Sequence, residues 1–278
     1  MRRVAAVLAL VLALAACGGS ESGTIAPPGG AGELVLRVAT GGGLVPPDFR
    51  FRELPWLSLY GDGTLVTVGP QIEIYPAPAL PNLLATPVTE AGVQAILGAA
   101  RDAGLLGPDA SYTTSQVADG TETTFSVVAA GRRHVVSVYA LVEDPAPAGA
   151  SAQELEARKE LAALEERLFD LRSWLPAGAI GEETSYVFTE LRILVQPYRE
   201  SEQDLVEPEQ TWPLVEPLAS FGEPVPDLAG ARCGVVRGAD LDLLLPALRA
   251  ANQLTPWTSG GERYALVLRP LLPDEHGC

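Results

Sequence analysis

The sequence predicts an α+β protein in which antiparallel sheets pack against a few helices, and three observations carry that prediction. Short Val- and Thr-rich runs recur between Gly, Pro and Asp-Gly turn signals, in two groups at 34–142 and 186–270. Three stretches place apolar residues at helical spacing. At 47% hydrophobic and 19% charged residues, the 278-residue chain can bury a sizeable core.

Taken in order, residues 34–38 read as a strand and residues 49–60 as extended chain broken by Pro55. Tyr60-Gly61-Asp62-Gly63 is a hairpin signal, because Asp and Gly tolerate positive φ, and it leads into a strand at 64–68. Residues 72–75 form another candidate strand, ended by prolines 76, 78 and 81. Thr89 opens a helix whose stripe is Val93, Ile96, Leu97 and Ala100, and Gly104 closes it. Strands at 121–129 and 134–142 flank a turn at Gly131.

The Pro/Ala/Gly run at 143–150 is the best boundary between an N-terminal unit (33–145) and a C-terminal unit (151–278), unless the two form one continuous domain. Ser151 and Glu154 form a capping box, the Ser oxygen taking an exposed amide and the Glu returning to the Ser amide. Leu155, Leu161, Leu164, Leu168 and Leu171 then mark the buried side of a helix to about residue 174, with a solvated, charged far side. Strands follow at 191–198, 233–236 and 264–269, with a helix capped by Asp240 and interrupted by Pro246. Tyr139-Ala140-Leu141-Val142 echoes Tyr264-Ala265-Leu266-Val267, which suggests two similar halves.

Arg2 and Arg3 precede an apolar run at 4–16. As a helix it rises roughly 20 Å, short of the ~30 Å hydrocarbon layer, so it reads as a signal peptide (1–16) rather than a span. Leu14-Ala15-Ala16-Cys17 resembles the lipobox of bacterial lipoproteins. That resemblance implies cleavage before Cys17, a diacylglyceryl group on its thiol and further acylation of its amine, so that Cys17 holds membrane lipid. Residues 17–32, rich in Gly, Ser and Pro, then serve as a flexible linker. Together with the Pro and Gly enrichment and Lys159 as the only lysine, the chain resembles the uncharacterised lipoproteins of GC-rich actinobacteria. The expected location is the extracytoplasmic face of the cell membrane. In that oxidising compartment Cys233 and Cys278 would pair, closing a loop worth about 4 kcal/mol on the chain-entropy picture.

The formal charge of −16 opposes nucleic-acid binding and spreading on an anionic bilayer. Reaction chemistry is sparse. The chain has two histidines, His134 and His276, no Gly-x-Ser-x-Gly elbow, and only Asp240 with Asp242 towards a calcium loop. These features call for no catalytic residue, cofactor or metal. Carboxylates are the remaining catalytic candidates: Asp62, Asp119, Glu190 and the cluster Glu200, Glu202, Asp204 and Glu207, with Asp62 explained by its turn. Phe49, Phe51, Trp56 and Tyr60, together with Trp212 and Trp257, lie near irregular backbone, where aromatics line grooves or fill cores. The leading expectation is a non-catalytic, ligand-binding or scaffolding envelope lipoprotein whose partner is an envelope protein or cell-wall component. A carboxylate-dependent hydrolase of wall glycan or peptide is the alternative, and a solute receptor for a transporter ranks third.

Overall fold

The tight turns fix the first layer. In the computed structural model, which describes residues 24–200 and 209–278, Gly63 takes φ 84° and the Asp62 carboxylate accepts from the Thr64 amide at 2.9 Å. This turn joins β2 (Leu57–Tyr60) to β3 (Thr64–Val68), after β1 (Leu34–Gly42). Then come β4 (Leu83–Pro87), α1 (Glu90–Asp102), β5 (Ala110–Tyr112), β6 (Thr121–Ala129), β7 (Arg132–Tyr139), α2 (Ala152–Phe169) and β8 (Thr184–Ser185). Ala130 and Gly131, at φ 51° and 73°, turn β6 into β7 with the two successive positive values a tight hairpin demands. The sheet order is β5-β7-β6-β1-β2-β3-β4-β8, antiparallel except for β5 against β7.

The predicted stripe of α1 is buried against this sheet, and Thr89 caps the helix by accepting the Gly92 amide. Ser151 caps α2 by accepting from the Glu154 amide at 3.1 Å. Glu154 does not return to the Ser151 amide; its carboxylate instead takes Nε of Arg158 at 3.1 Å. The reason is burial. Arg158 is fully inaccessible on the inner side of α2 and also donates to the Tyr139 carbonyl at 3.1 Å, whereas Leu155 sits at the rim. A buried guanidinium needs a carboxylate more than an exposed amide does.

The second layer contains β9 (Glu190–Pro197), β10 (Gln210–Thr211), β11 (Glu223–Pro224), β12 (Arg232–Arg237), α3 (Gly238–Ala250), β13 (Trp257–Ser259) and β14 (Glu262–Pro270). Its order is β10-β13-β14-β9-β12-β11, again with one parallel pair at an edge. Leu191, Ile193, Val195, Leu266 and Leu268 pack one face on Leu241, Leu244 and Leu248 of α3.

Several expectations change. Asp240 is not the cap of α3: Arg237 holds that position without a side-chain bond, and Asp240 lies in the first turn, where its charge meets the helix N-terminus. Pro246 lies inside α3 on an exposed side, so the missing amide disturbs a solvent-facing bond and the helix continues. Residues 72–75 join no strand; between Pro70 and Pro76, Ile72 and Ile74 are exposed. The run at 143–150 does not divide the cores, because Leu161, Leu164 and Leu168 of α2 join the first core and β8 pairs with β4. A Pro-rich break marks a loop, and the next helix decides which core it serves. The two layers share a plan but not a connection order. β1 takes the near strand of the following hairpin, β6, whereas β9 takes the far one, β14. The echoed tyrosines accordingly differ, Tyr139 ending β7 and Tyr264 standing inside β14.

Each layer lends a segment to the other. A short 3-10 turn, Phe49–Phe51, lays Phe51 on Leu194, Cys233 and Val267 of the second sheet. In return Leu272, after β14, packs on Tyr60, Val66 and Leu83 of the first.

Candidate functional site

At the seam between the layers the C-terminal segment is held by charge and by a covalent bond. Arg37 of β1 donates to Ser58 Oγ at 3.0 Å, to the Tyr60 hydroxyl at 3.1 Å and to the Asp274 carboxylate at 2.7 Å. Arg269 of β14 grips both oxygens of Glu275 at 2.6 and 2.8 Å and reaches the Glu53 carbonyl with Nε at 2.6 Å. Cys233 and Cys278 form the expected disulfide, with Cα atoms 6.0 Å apart. Burial pulls Arg37 down, but Tyr60, Asp274 and Glu275 outweigh it and hold its pKa above the ordinary value. Burial pushes the Tyr60 phenol far up; Arg37 opposes, while Asp274 and Glu275 add to the rise. Tyr186 is pushed up to about 12, first by burial and then by Glu275 and Asp274.

The structure brings three sequence-flagged residues together beside this seam. Asp62, Glu190 and His276 line one cleft of about 360 Å³ with Glu275 and Tyr186. Each of its carboxylates already has a structural task. Asp62 holds its own turn, Glu190 faces Arg237 at 3.4 Å, and Glu275 is committed to Arg269 and the Leu272 amide. Among the described residues no group of three or more His, Cys, Asp or Glu could hold a metal ion. The other flagged residues are dispersed. His134 is buried in β7 with Nδ1 2.7 Å from the Gly107 carbonyl, Asp119 occupies a turn at φ 55°, and exposed Glu200 meets Arg263 at 3.1 Å. Cys17 with its leader, and Glu202, Asp204 and Glu207, lie outside the described residues.

The aromatics divide by environment. Trp212 and Trp257 meet edge to face in the second core, where the Trp212 indole donates to the Glu216 carbonyl at 2.8 Å. They are core filling. Trp56 is different. It lines a cleft of about 340 Å³ on the helix side of the first sheet, beyond the cover of α1. The floor is two cross-strand pairs, Leu65 with Thr86 and Thr67 with Leu84, because alternate residues of β3 and β4 share one face. Trp56 stacks on Phe169 at the end of α2, with ring centroids 4.3 Å apart and planes 6° from parallel. Phe169 is 70% exposed, while the Trp56 indole nitrogen is buried with no acceptor among the described residues. Asp170, Arg172 and Glu183 form a rim of both charges. The arrangement offers an apolar stacking wall above a floor that carries two hydroxyl side chains, a surface on which a ligand ring can lie.

No family model, curated protein or solved structure matches this chain. The site therefore rests on its own geometry. Trp56 was visible in the sequence as an aromatic beside irregular backbone. Phe169, Thr67 and Thr86 were not, since only the register of β3 with β4 and the stop of α2 bring them to it.

Proposed function

We propose that this chain is a lipid-anchored extracytoplasmic binding protein that holds a neutral, oxygen-bearing envelope component in the Trp56 cleft. The single observation that carries the binding reading is the 70% exposed Phe169 ring, stacked on Trp56 at the wall of an open cleft. A sugar ring or the backbone of a wall peptide supplies a face to lie on that aromatic wall. The lipobox-like Leu14-Ala15-Ala16-Cys17, the acidic charge and the Cys233–Cys278 bond support the anchored, exported setting. Among the described residues no helix is long and apolar enough to cross a membrane, which is consistent with a lipid as the anchor.

Calorimetric titration with soluble wall-glycan and stem-peptide fragments tests the binding. Saturable heat that is lost in Phe169→Ala while the circular dichroism is unaltered is expected. No saturation with any fragment, or equal affinity in Phe169→Ala, would defeat the reading. Cleavage of a fragment during titration would move the assignment to the hydrolase. Intact mass and fractionation test the anchor, with acyl mass and membrane association expected in the parent and absent in Cys17→Ser.

A further inference from the structure

Two arginines stand directly opposite each other in the middle of the second sheet. Arg192 of β9 is the register partner of Arg269 of β14, and both face the seam. Like charges at such a pair repel. Arg269 is neutralised by Glu275, but Arg192 forms no ion pair among the described residues. Among the described residues the one hydrogen bond of its guanidinium is a 3.5 Å contact from Nη2 to the Phe51 carbonyl, and its Nε is buried without an acceptor. Burial first, then Arg269, pull its pKa down, with Glu275 opposing. A guanidinium keeps its proton regardless, so Arg192 is a half-buried cation that lies over the Phe51 ring at 5.9 Å but has no ion-pair partner among the described residues.

That charge borders a cavity. Arg192 lines a cleft of about 350 Å³ whose walls are Phe51, Pro224, Val225, Pro226 and the Cys233–Cys278 disulfide. Arg50 also lines it, turned over the Phe51 ring at 5.0 Å and 3.7 Å from Asp227. Among the described residues the acidic side chain in the lining is Glu223, on the exposed edge strand β11.

We infer that this cleft is a second binding site, distinct from the Trp56 cleft, and that it takes a small apolar monocarboxylic acid. The carboxylate satisfies Arg192 through the planar fork that guanidinium and carboxylate share. The apolar body fills the Phe51, Val225 and proline walls. Glu223 repels a second negative charge, which selects a monoanion over a phosphate ester or a diacid. The volume lies at the lower end of the small-ligand range, which limits the body to a short chain or a single ring.

Calorimetric titration of the folded protein with octanoate and with 3-phenylpropionate tests this, with octanol and octylammonium as isosteric controls. Saturable binding of at least one acid is expected, at least tenfold tighter than octanol, with no binding of octylammonium. Arg192→Met should weaken the acid at least tenfold while leaving the thermal midpoint no lower, because it removes a cation that opposes Arg269. Val225→Asp provides a second variant that leaves Arg192 in place: a carboxylate inside the cleft competes for the guanidinium, and the same loss is expected. Phe169→Ala should bind the acid as the parent does, so this site can stand or fall apart from the first. The inference is overturned if neither acid saturates, if octanol binds as tightly, or if the acid keeps its affinity in whichever of the two cleft variants folds.

Discussion

Along β1 and β2 the side chains divide between two environments: Leu36, Val38, Leu57 and Leu59 turn to the helices, whereas Arg37, Ser58 and Tyr60 turn to the seam. The helix side is held by area. Any apolar side chain of similar volume contributes there, and loss is graded by the cavity left behind. The seam is held by matched partners. Arg37, Tyr60 and Asp274 form one set and Arg269 with Glu275 another, linked by Arg37 3.8 Å from Glu275, so removing one member leaves a largely buried partner short of its match. The same sheet thus tolerates substitution on one face and resists it on the other.

The largest expected effect falls on the seam's covalent tie. Cys278→Ser should lower unfolding free energy by about 4 kcal/mol, the chain-entropy value for a loop of this length. Urea denaturation checks it, and the parent under strong reductant should reach the same midpoint. On the helix side, fully buried Leu97 of α1 gives the area-based counterpart. Leu97→Ala should cost about 3 kcal/mol with little dependence on salt. Glu275→Gln should cost about 2 kcal/mol, less than for a wholly buried pair because Glu275 keeps some exposure. Adding Arg269→Met should return part of that loss. No such recovery in the double variant would mean that the seam is held by area after all.

Smaller, and opposite in sign on the two sides, are the effects of pH. Burial pushes Glu275 up, but the hydrogen bonds and charge of Arg269, the Leu272 amide and Arg37 outweigh it, leaving its pKa below the ordinary glutamate value. Its stabilisation is therefore complete above that ordinary value of 4.5 and is lost as pH falls through the depressed one. Glu165, on the core side of α2, is raised by burial and then by Glu143. Being protonated more readily in the fold than in the unfolded chain, it favours the fold less as pH rises above the ordinary value. Glu165→Gln should raise neutral-pH stability by less than about 1 kcal/mol and flatten that upper slope. Urea midpoints from pH 3 to 7 for the parent, Glu275→Gln and Glu165→Gln read both slopes.

What the sequence disclosed follows the same division. The stripe Val93, Ile96, Leu97, Ala100, the Asp62-Gly63 turn and the Ser151 cap were legible because each is set within a few residues. The disulfide was legible from cysteine number and the expected compartment. The seam was not, because Arg37 and Asp274 are 237 positions apart and neither carries a local pattern. Arg158 went unflagged for a related reason: nothing near it in sequence shows that Glu154 and the Tyr139 carbonyl hold it inside. The Trp56 cleft was half visible. An aromatic can be read from one dimension, but its floor depends on the Leu65–Thr86 and Thr67–Leu84 register.

Both sheets finish at either margin in strands of only two or three residues, β5 and β8 in the first and β10 and β11 in the second. β11 includes Pro224, which has no amide to donate. Long open margins template accretion of further strands from neighbouring molecules, and margins this brief offer almost no ladder to extend. At high local concentration, such as the proposed anchor would impose, borders of this kind would keep neighbours as separate particles and oppose their fusion into fibrous mats.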